Sequence, residues 1–317
     1  MVQSNPLFKK FSSKLLLFGE YTLMAGSEAL TIPLNEYGGQ LILEPIDSVE
    51  SIRSNFQLKK FYDYLFSKKD YFPEGLELDL SGFKNDLDKG LYLSSDIPQG
   101  YGAGSSGVLV AAVYHAYAKN PPAEESTSVL RNLKHVFSFM ESFFHGRSSG
   151  IDPLSCYIGK PLRMTSPEIT EPVTFVVTNN ISGLFMFLLD TGFPSRTGGL
   201  VQIFQEKQKS KLFMDAMVNK IIPATNKCIA LILSADTKTF EAEIRQLSAL
   251  QLEFFQEMIP DPYKMIWENG IKTENYSLKL CGSGGGGFIL GFAEDRIKTT
   301  ELFENMGKKL LPVFKSS

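Results

Sequence analysis

Pro98-Gln-Gly-Tyr-Gly-Ala-Gly-Ser-Ser-Gly107 sets Gly100, Gly102 and Gly104 at alternate positions and runs without a break into SSGVLVAAVYHAYAK, residues 105–119. Closely spaced glycines let successive backbone N–H groups point into one concavity, and a helix that starts directly after them adds the positive end of its dipole. The small and apolar residues after Gly104 predict such a helix, and predict it buried. Ser105 and Ser106 stand at its start, where a hydroxyl caps the helix, donates to a phosphate or ligates a divalent cation. Taken alone, the stretch fits equally well as a glycine-rich turn with a serine cap and no ligand. No Gly-Lys-Ser/Thr follows, which excludes a Walker loop, and the preceding SSDIPQ is a polar turn rather than a strand, which excludes a dinucleotide fingerprint. Positive charge for an anion at this loop has to come from elsewhere in the chain.

On either side of the loop the periodicities predict a mixed α+β chain. Leu15 to Phe18 reads as a buried strand and Gln40 to Glu44 as an alternating one. Val129, Leu133, Val136, Phe137, Met140 and Phe144 recur at helical spacing within Glu124 to Phe144, and Gly183 to Leu189 reads as another buried strand. Residues 198–258 read as largely helical, with interruptions at Pro223 and near Asp236. Strand-like Tyr276 to Cys281 and Phe288 to Phe292 flank the run Gly282-Ser-Gly-Gly-Gly-Gly287, and a helix near 297–309 precedes a short last strand. SPEITEPVT reads as a linker or edge segment within 165–180, so two domains are expected, 1–170 and 171–317.

With 317 residues, 43% of them hydrophobic and 21% charged, the chain has the material for a substantial core. Its net charge of −3 comes from interspersed charges, so nucleic acid is excluded as a partner for want of a basic stripe. Cys156, Cys228 and Cys281 are far apart and odd in number, which predicts buried reduced thiols rather than disulfides or a Cys-x-x-Cys metal site. The apolar run in MVQSNPLFKKFSSKLLLFGEY is ended by Gly19 and Glu20, too soon for a signal-peptide core or a span. A soluble cytoplasmic protein without a membrane partner is the expectation.

If the cradle holds a transferable phosphate, three further parts are needed: a group to orient or deprotonate the acceptor hydroxyl, a cation and metal ligands. Asp152, between isoleucine and proline in a segment that reads as a loop, suits the first, although an aspartate making a local turn before Pro153 has the same sequence. Lys14, just before the strand LLLF, is by position an ordinary solvated strand end. Beside an aspartate, however, it would steady charge on the transferring group. Glu141, near the end of the second helix, is a surface glutamate or, if it faces Ser106, a magnesium ligand. The glycine run at 282–287 is either a flexible hairpin loop or a lip over the phosphates.

Three stretches, Lys14-Leu-Leu-Leu-Phe-Gly-Glu-Tyr21, Pro98 to Gly107 and Lys279 to Gly287, resemble in order the motifs of the GHMP kinase superfamily, which includes galactokinase, homoserine kinase, mevalonate kinase and phosphomevalonate kinase. Glu141 to Pro161, ESFFHGRSSGIDPLSCYIGKP, is most similar to the mevalonate kinase segment. The resemblance implies a two-domain α+β fold with the site in the interdomain cleft, and ATP-dependent phosphorylation of a small-molecule alcohol. By it, Pro98, Gly100, Gly102, Ala103, Gly104, Ser105, Ser106 and Gly107 would bind ATP, Ser106 and Glu141 would hold magnesium, and Asp152 would be the base with Lys14 as its cationic partner. It likewise implies acceptor contacts from Glu20, Tyr21, Arg196, Thr197, Gly284 and Gly285, and a homodimer is common in the superfamily. Mevalonate kinases commonly carry histidine where this chain has Tyr21, which leaves a phosphomevalonate, sugar or homoserine acceptor open. So do two other outcomes: a non-catalytic nucleotide sensor and a related decarboxylase.

Overall fold

A computed structural model of the protein describes residues 8–174, 183–195 and 197–314. Strand β1 (Phe11–Phe18) pairs antiparallel with the long β2 (Ala29–Leu43). β2 therefore reaches well upstream of the Gln40 to Glu44 stretch that alternates most plainly in the sequence. Helices α1 (Val49–Ser67) and α2 (Leu80–Asp88) follow, then β3 (Leu91–Ser95), which pairs antiparallel with the far end of β2. Next come α3 (Ser105–Tyr117), α4 (Thr127–His145) and α5 (Ile151–Ile158), and then β4 (Leu162–Ser166) and β5 (Ile169–Pro172), which complete the first sheet.

The second sheet is assembled from distant parts of the chain. β6 (Phe185–Asp190) is followed by α6 (Thr197–Lys207), α7 (Lys211–Ala216), a π turn over Met217–Ile221, α8 (Ile222–Leu233), α9 (Thr237–Phe254) and α10 (Asp261–Thr273). β7 (Ser277–Leu280), β8 (Phe288–Ala293), α11 (Arg296–Asn305) and β9 (Leu310–Pro312) close the chain, and the strands order as β7-β8-β6-β9, all antiparallel. This is an α+β fold with two sheets, each backed by its own helices. The expected boundary at 170/171 falls within β5 of the first sheet, and residues 175–182, a few positions on, are outside the described residues.

Local chemistry accounts for most element ends. Ser48 and Ser51 form a reciprocal capping box at α1, and Asp236 caps α9 by accepting from the Thr239 N–H. Pro223 does not break the chain's longest apolar helical run, as its sequence position suggested. It falls in the first turn of α8, and the π turn before it absorbs the missing donor, so helix continues from Lys211 to Leu233. That run is long and apolar enough by composition to cross a membrane, but Phe213, Met217, Ile221, Cys228, Ile229 and Ile232 bury one side of it in the core around the second sheet.

β1 and β2 serve two cores. Phe11 and Leu41 join the core formed with α1 to α5, whereas Leu15, Leu17, Phe18, Leu30, Ile32 and Leu34 pack into the core of the second sheet. Burying a Leu or Phe side chain is worth about 1.5–3 kcal/mol, so this shared strand pair is a strong weld between the halves. It also carries Lys14, and thereby places that residue at their junction.

Candidate active site

Gly100, Gly102 and Gly104 take φ values of +77°, +70° and +80°, so the loop alternates in hand, the backbone pattern from which anion nests are built. The Ala103 carbonyl accepts from the Ser13 hydroxyl at 2.5 Å and from the Lys14 N–H at 3.4 Å, which ties the loop to β1. Gly104 is the N-cap of α3 and no side chain caps that helix. The serine-cap alternative is thus set aside: Ser106 instead donates to Glu141 Oε1 at 2.9 Å. Gly107 brings the first turns of α3 and α5 into backbone contact, since a Cβ there would lie 2.9 Å from the Asp152 carbonyl carbon. Pro98 and Ser105 flank this nest at its two ends.

Asp152 is not on a loop. It is the second residue of α5, which begins from Gly150 in the left-handed conformation, and Pro153 is tolerated because first-turn amides need no intrahelical acceptor. Ser155, one turn on, meets the Thr31 hydroxyl at 2.8 Å and anchors α5 to β2. Lys14 is not solvated either: its Nζ lies 2.9 Å from Asp152 Oδ1, with the lysine side chain 4% and the aspartate 38% exposed. Burial pulls the Lys14 ammonium down, and the charge and hydrogen bond of Asp152 outweigh it, so the group is raised overall and stays a cation.

Glu141 is buried on α4, its Oε1 held by Ser106 and its Oε2 by the Ser148 hydroxyl at 2.5 Å. Burial and the nearby Asp152 charge push it up to about 7, against the two hydroxyls and Lys14. Ser148 is a functional candidate that the sequence reading missed. Nothing in its local pattern marks it, because its role depends on the turn that brings it back to α4.

The glycine run at 282–287 touches the loop at 98–107 at two points. A Cβ on Gly287 would stand 2.7 Å from Tyr101 Cα, and one on Gly282 3.9 Å from Gly102 Cα. Gly284 and Gly285 face the other way: added Cβ atoms would meet the Met258 carbonyl at 2.4 Å and Leu200 at 2.5 Å, so core packing explains these two glycines without an acceptor. Ser195 donates to the Gly284 carbonyl, and its N–H to the Gly100 carbonyl at 2.8 Å, which joins the 191–195 loop to both glycine segments.

Two expected acceptor contacts are committed elsewhere. Glu20 Oε1 lies 2.6 Å from Lys279 Nζ in a pair with side chains 2% and 0% exposed, so its carboxylate does not face an acceptor. Tyr21, at φ +57°, is buried between Phe204 and Phe255 and donates to the Ser283 carbonyl at 2.7 Å. Thr197 begins α6, and Arg196 lies outside the described residues. The three cysteines are free and buried, as their spacing predicted.

The donor set fits a magnesium ion. Among the described residues no cluster of three or more His, Cys, Asp or Glu stands ready to cage a metal. A hydroxyl and one buried carboxylate beside a phosphate nest match a cation that takes most of its remaining ligands from phosphates and water.

No family model matches the chain. It is 25% identical to the mevalonate kinase of Pyrococcus horikoshii, with 90% of this chain and 88% of that protein covered. Among solved structures it is similar to the mevalonate kinase of L. major in complex with R-mevalonate, with a TM-score of 0.63, 15% identity, and 96% and 94% of the two chains covered. The phosphomevalonate kinase of Streptococcus pneumoniae in complex with phosphomevalonate and AMPPNP gives a TM-score of 0.61 at 13% identity, over 96% and 98%. Likeness at such identities speaks to the fold, and the fold agrees with the order of the three motifs. On both grounds the chain is similar to GHMP kinases, mevalonate kinases among them, in sequence over 90% of its length and in fold.

Proposed function

We propose that the protein transfers the γ-phosphoryl group of ATP to the hydroxyl of a small-molecule alcohol, and that the alcohol is mevalonate, with 5-phosphomevalonate and ADP as products. The observation that carries this reading is the meeting of Lys14, Ser106, Glu141 and Asp152, from four separate elements, at the uncapped first turn of α3. A fold that needed only stability would have little use for two acids and a buried cation beside a nest of amides.

In this mechanism the amides of residues 100–107 receive the phosphates. Asp152 accepts the proton of the acceptor hydroxyl as its oxygen bonds to the γ-phosphorus and the bond from that phosphorus to the ADP oxygen breaks. Lys14, kept cationic by its pairing, steadies charge in the transition state and orients the Asp152 carboxylate. Ser106 and Glu141 would hold magnesium, which when bound neutralises charge on the phosphate oxygens. A positioned base contributes about 10²–10⁴-fold to such a step. The reaction requires ATP and magnesium, and the cytoplasm is where we place it.

The acceptor assignment is supported by the likeness to mevalonate kinases at 25% identity. A second reading keeps the reaction and changes the acceptor to phosphomevalonate, a sugar or homoserine. Tyr21 favours keeping it open, because its hydroxyl proton goes to the Ser283 carbonyl and is not offered to an acceptor alcohol. The retention of both acids and the cation weighs against a sensor that lost its chemistry. A coupled ADP assay with magnesium, ATP and a panel of these alcohols tests the proposal. ADP release with mevalonate is expected. Turnover with another alcohol and none with mevalonate transfers the assignment to that acceptor, and ADP from no member of the panel removes the catalytic reading.

A further inference from the structure

Ser148 lies half-buried between α4 and α5, and its contacts reach Glu141 and the turn that leads into Asp152. The hydroxyl donates to Glu141 Oε2 at 2.5 Å and accepts from the Gly150 N–H at 3.0 Å. Gly150 is the N-cap of α5, two residues before Asp152. The Ser148 carbonyl accepts from Ser138 Oγ at 2.6 Å, which pins the residue to the face of α4 that carries Glu141. Together with Ser106 on Oε1, Ser148 therefore gives each carboxylate oxygen one hydroxyl partner.

A carboxylate oxygen has two acceptor directions, so this arrangement locks the plane of the Glu141 carboxylate and still leaves one direction on each oxygen for a cation. Without the second hydroxyl the terminal torsion of Glu141 is free to swing, because such sp³–sp² torsions are broad and weakly preferred. A metal ligand has to be held within about 0.5 Å of its productive place, and a partner that only orients a ligand typically contributes about 10–100-fold to metal affinity or activity.

We propose that Ser148 is a positioning residue for phosphoryl transfer, holding the Glu141 carboxylate and the Asp152-bearing turn in one register through a single hydroxyl. The inference rests on the reading of Glu141 as a ligand of the magnesium–nucleotide. Ser148 does not touch the reacting atoms. It acts through Glu141 on one side and through the start of α5 on the other.

The test compares Ser148→Ala, Ser148→Val and Ser148→Thr in the full chain. Valine and threonine have the same shape, so that pair isolates the hydroxyl and keeps the test valid if alanine disturbs folding. The readouts are Mn²⁺ binding in the presence of AMPPNP, followed by electron paramagnetic resonance, and the melting temperature. Alanine and valine are expected to weaken Mn²⁺ binding about tenfold, and threonine to restore it to within about threefold. In a Glu141→Gln background the alanine change should add no further loss. Unchanged Mn²⁺ affinity in the alanine and valine variants, with or without a lower melting temperature, overturns the inference and leaves the kinase reading standing. A wild-type protein that binds no Mn²⁺–AMPPNP overturns the kinase reading, and this inference with it.

Discussion

Lys14 Nζ lies 2.9 Å from Asp152 Oδ1, and the two partners differ sharply in exposure, 4% for the lysine side chain and 38% for the aspartate. The cation is sealed inside and the carboxylate is the more exposed partner, so in the proposed reaction the pair would offer an oriented base to the acceptor hydroxyl while its counter-charge stays fixed. Asp152→Asn keeps the shape and the contact with Lys14 and removes the proton acceptor. Turnover should fall by about 10³-fold with AMPPNP affinity within about threefold of wild type, measured on one preparation by ADP release and calorimetry. Activity equal to wild type would remove Asp152 from the role of base.

Glu141 ties stability to pH. Its folded value of about 7 stands above the ordinary 4.5, so between those values the folded protein binds a proton that the unfolded chain does not. The associated stability is fully present below the unfolded value and is lost as pH rises through the folded one. In protein stripped of metal by a chelator, Glu141→Gln should therefore raise stability at about pH 8, by on the order of 1–3 kcal/mol, and change little at about pH 5. Calorimetric melts at the two pH values check this, and equal shifts at both would count against it.

Gly287 and Gly307 share a φ of +68° but not their surroundings. A Cβ on Gly287 meets Tyr101 Cα at 2.7 Å, whereas Gly307 has nothing within 4 Å. Gly307→Ala should cost only the backbone strain, about 1 kcal/mol. For Gly287→Ala a further 1–3 kcal/mol or so is expected, with weaker AMPPNP binding, because the phosphate loop has to move. Urea unfolding midpoints that shift equally for the two variants would argue against close contact between the glycine run and the phosphate loop.

The Glu20–Lys279 pair, at 2.6 Å and out of solvent, should be costly to halve. Lys279→Met leaves a carboxylate buried without its counter-charge, at about 3–5 kcal/mol. Glu20→Gln combined with Lys279→Met should recover a large part of that loss. A double-mutant cycle of melting curves in which the two single effects simply add would show that the pair is not coupled.

Local sequence carried much of the fold. The alternate glycines of 100–104 adopt left-handed backbone because glycine meets no steric cost there, and the small apolar residues after them form a buried helix by propensity and pattern alone. The same local rules missed where a neighbour in sequence was not the deciding one. Pro223 sits inside continuing helix because a π turn precedes it, and Asp152 belongs to a helix because Pro153 falls in its first turn. No element was read from residues 50–90, yet Leu58, Phe61 and Leu65 of α1 are fully buried.

For the site, the residues by themselves made Asp152, Lys14, Ser106 and Glu141 candidates beside plainer readings, and the resemblance to the GHMP kinases singled them out together. What they face was decided by long-range packing. Lys14 looked like a solvated strand end, and only the docking of α5 on β1 and β2 encloses it and supplies Asp152. Glu20 and Tyr21 looked available to a substrate until partners 259 and 262 positions away, Lys279 and the Ser283 carbonyl, took their polar groups. The amino-acid sequence by itself determined which candidate groups this chain carries and the backbone hand of its glycine loop at 98–107, because those depend on residue type and steric freedom over a few positions. Which of those side chains meet was decided only by the tertiary structure, because burial obliges every enclosed charge and donor to find its partner wherever in the chain that partner lies.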